Sequence, residues 1–361
     1  MNMKKILFFL IILFSVISCQ HPKPYFPDGT WQIISPQEAG IDPQNLGRAL
    51  DYLQRHSGEN GIEQIILVKD GYILHQGKDV DRQHNIWSCT KSFTGMAFGL
   101  LLQEGKCSLD DIASRYAPFL EEHYPEVTLR HFATMTSGYN AEGNSRWDSQ
   151  SEDWSWTPFV ADTPLFAPGT AFCYWDEAMM TFGYALTTIA GQDLKKLLDE
   201  RIFKPIGVGE WKWGDEPSYL NITVRNGCTG IEMNALQLAR IGYLLLNKGN
   251  WKGTQVIDEN WIMESTRNQV PVDIVVADTD RRGIDGRGNY GYNWWTNGTG
   301  TDGKRVLPDM PEETHYMSGH NNNVCFVVPE WNLVFVRMGT DGNPPEGKTR
   351  VYNEFFKILM Q

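Results

Sequence analysis

Ser88 and Lys91 stand one helical turn apart in Ile86-Trp87-Ser88-Cys89-Thr90-Lys91-Ser92-Phe93, the only Ser-x-x-Lys in the chain. On a helix this spacing puts both side chains on one face, about 5–6 Å apart at Cβ. A serine hydroxyl is a poor nucleophile until a neighbouring base takes its proton. A lysine serves as that base only where its surroundings pull its pKa down from about 10. The pair therefore offers nucleophilic acyl transfer from one rigid element. The same spacing also suits an N-capping serine with a solvated lysine, so the segments around it must decide.

Those segments predict a sheet with helices around it. Asp42-Pro43 reads as a cap and first-turn proline before an amphipathic helix through Leu46, Ala49, Leu50 and Leu53. Gln64 to Lys69 and Tyr72 to Gln76 read as a hairpin across Asp70-Gly71. The helix carrying Ser88 runs through Phe93, Met96, Ala97, Leu100 and Leu101 to Gly105. Asn234 caps a helix through Leu238, Ile241 and Leu245, and Asp258 to Thr266 is a shorter one. Val324 to Val328 and Leu333 to Met338 form a second hairpin, apolar enough for a sheet covered on both faces. Tyr352, Phe355, Phe356 and Leu359 mark a final helix. The expected class is α/β (α+β): a central antiparallel sheet built from both termini with flanking helices, plus an inserted, mostly helical domain. Residues 30–85 and 225–361 would form the sheet domain, and 86–224 the helical domain with the serine at its start.

Three later segments fit around Ser88. They are Thr128 to Gly138, Pro168-Gly169-Thr170-Ala171-Phe172-Cys173-Tyr174-Trp175-Asp176, and Met317-Ser318-Gly319-His320. In order and spacing the four segments resemble the serine β-lactamase and penicillin-binding-protein superfamily. The likeness is greatest to its class C branch, which includes esterases and 6-aminohexanoate-dimer hydrolases. Gly227 to Trp261, with Leu238-Ala239-Arg240 and Trp251-Lys252-Gly253, is similar to that branch too. The resemblance implies that Ser88 is the nucleophile and Lys91 its partner base. It implies that Tyr174 passes a proton between nucleophile and leaving group. Ser318 and Gly319 would lie on an edge strand facing the serine. The backbone N–H groups of Ser88 and His320 would form the oxyanion hole.

Two residues depart from the family pattern. Met317 stands where the family has lysine or histidine, which removes a cation that holds a substrate carboxylate. Asp176 stands where asparagine is usual. It would either pair with Lys91 and keep it protonated or receive a donor group of the substrate. The expected function is a serine hydrolase acting through an acyl-enzyme on small esters or amides. The alternatives are a β-lactamase or D,D-carboxypeptidase, or a non-catalytic penicillin-binding-like lipoprotein. A loop bearing Trp147, Trp154 and Trp156 would shape the pocket. His131, His315 and His320 read as structural, since the base position is already filled.

The ends and the composition set the context. Lys4 and Lys5 precede a short apolar run, and Val16-Ile17-Ser18-Cys19 is similar to a lipoprotein cleavage site. Residues 1–18 are thus expected as a signal peptide, Cys19 as the lipidated residue, and 19–29 as a tether. The protein would be an exported bacterial lipoprotein, periplasmic or outer-membrane-associated, touching the membrane only through its anchor. A net charge of −12 argues against nucleic acid as a partner. Five cysteines remain beyond Cys19, none in Cys-x-x-Cys, and there is no His-Glu-x-x-His. The chemistry therefore calls for no metal and no organic cofactor.

Overall fold

A computed structural model describes residues 25–142, 158–216, 221–277 and 283–361. The expected signal peptide, Cys19, and Trp147, Trp154 and Trp156 lie outside the described residues. Helix α1 (Pro43–His56) opens as its sequence predicts, with the Asp42 side chain accepting from the Gln44 N–H at 2.7 Å. Strands β1 (Ile65–Lys69) and β2 (Tyr72–Gln76) form the first hairpin. Its turn residues Asp70 and Gly71 have φ 53° and 87°, the left-handed pair a two-residue connection requires.

Helix α2 (Thr90–Gln103) follows the Ser88 turn, and α3 (Asp176–Ala190) and α4 (Ala235–Leu246) come later. Near the C-terminus lie β3 (Trp295–Thr296), β4 (His315–Gly319), β5 (Asn323–Val328), β6 (Leu333–Arg337) and helix α5 (Lys348–Leu359). The main sheet runs β3-β4-β5-β6-β1-β2, with every neighbouring pair antiparallel. Strands from both ends of the chain thus share one sheet, and the mixed α/β architecture is the one expected.

Alternation along the strands sends successive side chains to opposite faces, and both faces are covered. Leu67, Val324, Phe326 and Phe335 pack with Leu46, Leu53, Tyr352 and Phe356 of α1 and α5. Val68, Met317, Cys325 and Val336 pack with Phe93, Leu238 and Leu244 on the other side. Gly242 lets α4 lie flat on the sheet, because a Cβ there would sit 2.6 Å from Val334. Residues 25–29, expected as the end of a free tether, are instead bound to the domain. Phe26 packs against Tyr243 and Trp251, and Arg240 donates to the carbonyls of Pro27 and Gly29.

One buried cation ties β6 to the turn beyond β4. Arg337 donates to Ser57 O at 2.9 Å, Asn321 O at 3.1 Å and Asp341 Oδ2 at 2.8 Å. Both charged side chains are buried, at 0% and 3% exposure. Removing one member of such a pair strands the other charge away from water. Asp341→Ala is therefore expected to lower unfolding free energy by about 3–5 kcal/mol, read from urea denaturation at neutral pH. A loss under about 1 kcal/mol would show that the pair contributes no more than a surface bridge.

Candidate active site

The Ser88 turn is held from three directions. The Ile86 N–H donates to Ile231 O at 2.8 Å, and the Trp87 N–H donates to Asn85 Oδ1 at 2.7 Å. The β4–β5 hairpin presses on it from the sheet side. A Cβ on Gly319 would lie 2.2 Å from Ile86 O, so only glycine permits this approach. Trp87 sits at φ 52°, where a bulky residue is strained by roughly 1–2 kcal/mol. Its ring meets His320 edge-on at 5.2 Å.

The structure brings Ser88, Lys91, Tyr174 and Asp176 together. Lys91 is 1% exposed. Its ammonium donates to Ser88 Oγ at 3.0 Å, Asp176 Oδ1 at 2.6 Å and Cys228 O at 3.3 Å, and a hydrogen bond with the Tyr174 phenol adds to these. It also lies 4.7 Å from the centre of the Tyr174 ring. Asp176 opens helix α3, where a carboxylate complements the helix dipole.

The electrostatics bear on the roles of Lys91 and Asp176. Burial alone pulls the Lys91 pKa down, as a lysine base requires. The Asp176 carboxylate, with Tyr174 and Cys228 behind it, outweighs burial and pushes the value above that of a free lysine. The pairing with Asp176 thus favours the ammonium form of Lys91. Of the two roles open to Asp176, the geometry realises the pairing with Lys91. Burial raises the Tyr174 phenol above its ordinary range, while the Lys91 charge and a hydrogen bond from Ser88 act to lower it. Trp295 stacks on the Tyr174 ring at 5.7 Å and Tyr290 meets it edge-on at 6.1 Å, which fixes the phenol.

Strand β4 departs from the edge position expected for it. Strand β3 covers its first half, pairing Thr296 with His315 and Trp295 with Tyr316. Among the described residues no strand pairs with the Met317–Gly319 half on that side, and it faces the Ser88 turn. Met317 is fully buried in the core and brings no charge to the site. Outside their own elements, the N–H groups of Ser88 and His320 donate to no backbone acceptor among the described residues. His131 caps the short helix Leu129–Ala133 with Thr128, and His315 is buried, its pKa driven down to about 4 by desolvation. Both are structural. Of the cysteines beyond Cys19, Cys89, Cys173, Cys228 and Cys325 are buried and Cys107 is partly exposed. A cavity of about 660 Å³ lined by Leu245, Ile262, Thr296 and His315 sits by the opposite end of β4 and contains none of the site residues.

Comparison with known proteins agrees with this arrangement. The Beta-lactamase family model matches residues 67–356. The chain belongs to that family. A Salmonella enteritidis protein described as a D-alanyl-D-alanine carboxypeptidase is 20% identical over 405 residues, covering 90% of this chain and 89% of its own. Among solved structures, a Bacillus anthracis protein described as a 6-aminohexanoate-dimer hydrolase superposes with TM-score 0.67 at 17% identity, over 91% of this chain and 86% of its own. A family VIII carboxylesterase gives TM-score 0.65 at 17% identity, over 88% and 97%. The mixed fold is that of these structures, and the chain is a serine hydrolase of the beta-lactamase family.

Three contributors to the site carry no motif in the sequence: the Cys228 carbonyl on Lys91, Trp295 on Tyr174, and Lys348. Lys348 is the first residue of α5 and donates to Ser318 Oγ at 3.1 Å and to the Gly319 carbonyl. Its one signal is that a cation in the first turn of a helix works against the dipole and so needs another reason to be there.

Asp176→Asn removes the charge that holds the proton on Lys91 and leaves burial to act in the opposite direction. The Lys91 ammonium should then deprotonate at lower pH than in the wild type. The ¹⁵Nζ resonance of Lys91, assigned with Lys91→Met, measures this directly. Coincident titrations in the two proteins would refute the assignment of Asp176 as the dominant partner.

Proposed function

We propose that this protein hydrolyses small esters or amides through an acyl-enzyme on Ser88. The observation that carries the reading is the contact set around Lys91: one buried ammonium touching the nucleophile, its carboxylate and the face of the phenol.

The chemistry needs no free amine. Ser88 Oγ attacks the substrate carbonyl carbon in concert with a relay through Tyr174, whose oxygen takes the Ser88 proton only as its own proton departs for the leaving group. Tyr174 gives its own proton to the leaving alcohol or amine, so the acyl group is transferred with no net change in protonation. Lys91 stays charged throughout and stabilises the negative charge that grows on the Ser88 and Tyr174 oxygens. The N–H groups of Ser88 and His320 receive the tetrahedral oxyanion, each worth roughly 3–4 kcal/mol of barrier in comparable hydrolases. Water then attacks the acyl group. Its proton passes to Tyr174, and Tyr174 returns one to Ser88.

Substrate class follows from the charge pattern. Met317 is apolar and buried where the family places a carboxylate-binding cation, which favours neutral acyl substrates. The similarity to a family VIII carboxylesterase supports the same reading. A second reading, turnover of β-lactams or D-Ala-D-Ala peptides, is favoured by the Salmonella relative's description. The proposal extends to an exported lipoprotein lipidated at Cys19, for which the support is the sequence pattern at residues 4–19.

The test is a fluorophosphonate probe together with a substrate panel. Wild type should label and Ser88→Ala should not. Short nitrophenyl esters should turn over at least about tenfold faster than nitrocefin, a difference of about 1.4 kcal/mol in barrier. Equal labelling of both proteins, or none, would overturn the serine assignment; faster nitrocefin turnover would select the second reading.

A further inference from the structure

Lys348 lies against the peptide that carries half of the oxyanion hole. Its ammonium hydrogen-bonds to the Gly319 carbonyl and, at 3.1 Å, to Ser318 Oγ. Neither partner is a carboxylate, so its charge is not neutralised by direct pairing with either of them. The Gly319 carbonyl and the His320 N–H belong to one amide group. A cation on the oxygen of an amide draws electron density from its nitrogen and makes the N–H a stronger donor. The same bond fixes the plane of that amide, and so the direction of the N–H.

We propose that Lys348 is a positioning residue that polarises the Gly319–His320 peptide and so strengthens the His320 N–H as an oxyanion donor. The inference rests on the acyl-transfer reading above. It assigns a catalytic contribution to a residue on α5 that touches neither substrate nor nucleophile. Strand alternation makes this possible. Met317 and Gly319 point to the face of the sheet that holds the serine, while Ser318 points to the α5 face and meets Lys348.

The charge on Lys348 titrates in an accessible range. Burial of its ammonium end pulls its pKa down to about 8, and the Arg337 cation adds to the shift. Groups on each neighbouring element face it. Cys89, on the Ser88 turn, is held as a thiol by burial, which pushes its pKa to about 12. His320, on the hairpin turn, is shifted below its ordinary value by burial and by Lys348 itself, so it is neutral at that pH. Arg337, on β6, is paired with Asp341, and on the Lys348 helix Arg350 lies 4.0 Å from Glu346. The protonated form of Lys348 is the active one, so its contribution is complete below about pH 8 and is lost as pH rises through that value.

The test is ester turnover by the full chain as a function of pH in wild type, Lys348→Met and Lys348→Arg, with thermal melting as a folding check. Wild-type kcat should fall as pH rises through about 8. Lys348→Met should show kcat lower by about tenfold with KM little changed, and no such fall. Lys348→Arg should retain most of kcat and also lose the fall, because its charge persists. A Lys348→Met protein with wild-type kcat and the same alkaline limb would overturn the proposal. If Lys348→Met does not fold, Lys348→Arg decides: an unmoved limb overturns the proposal and a vanished limb supports it. A wild type that neither labels with fluorophosphonate nor turns over ester would sink the acyl-transfer reading and this inference with it. An active wild type with indifferent Lys348 variants sinks this inference alone.

Discussion

The site is organised by one contact, the buried bond of 2.6 Å between Lys91 and Asp176. A lysine with so little exposure is stable as an ammonium only with a counter-charge, and as an amine only without one. Asp176 selects the ammonium. From that choice the rest of the mechanism follows. Lys91 donates to Ser88 Oγ, to Asp176 and to the Cys228 carbonyl, so the Ser88 oxygen accepts from the ammonium and its own proton is directed to another group. The phenol of Tyr174 is the group it meets. A site with asparagine at residue 176 would leave Lys91 free to take that proton itself. On the proposed mechanism the substitution would change which residue moves protons, with Ser88, Lys91 and Tyr174 all still in place.

The fold's task is to bring four distant segments to that contact and hold them. Ser88 and Lys91 share one turn and the helix after it, so their separation is set locally. Tyr174 and Asp176 straddle the start of α3, which packs on α2 through Phe98 and Phe182 at 5.2 Å. The oxyanion turn arrives from the sheet, and only a residue without a side chain at 319 lets it come close enough. Arg337 fixes the far side of that turn through the Asn321 carbonyl. Strain at Trp87 is tolerated because the Asn85 side chain and the His320 ring both hold it.

The sequence made most of this readable where the determinants are local. Helix α1 declared itself through Asp42-Pro43, the first hairpin through Asp70-Gly71, and α4 through Asn234, whose side chain forms a capping box with Gln237. Ser88 and Lys91 were legible because helical spacing is a local rule, and Tyr174 and Asp176 because their segment resembles a known one. The sign of the Lys91 shift was not legible. It depends on burial weighed against a charge 85 residues away, and only the three-dimensional distance decides which prevails. Helix α3 went undelimited because its apolar residues surround it, and so give no one-sided stripe. Trp295 and Lys348 were missed for a related reason: each acts through a tertiary contact that no short motif encodes.

Met317 and Lys348 then bear on one question, where a family member keeps its cation. A positive side chain at 317 would point to the serine face and meet the substrate directly. Here that position is apolar and buried, and the nearest positive charge on β4 lies on the other face, on the carbonyl of the neighbouring peptide. A charge facing the substrate discriminates among substrates by their own charge. A charge behind the peptide sees chiefly the oxyanion, through the N–H it polarises, and every ester or amide develops an oxyanion at that point. Moving the cation across one strand thus exchanges selectivity for a general contribution to acyl transfer. On the proposed acyl-transfer reading, that placement is the physical reason neutral acyl groups would suit this arrangement of serine, lysine and tyrosine.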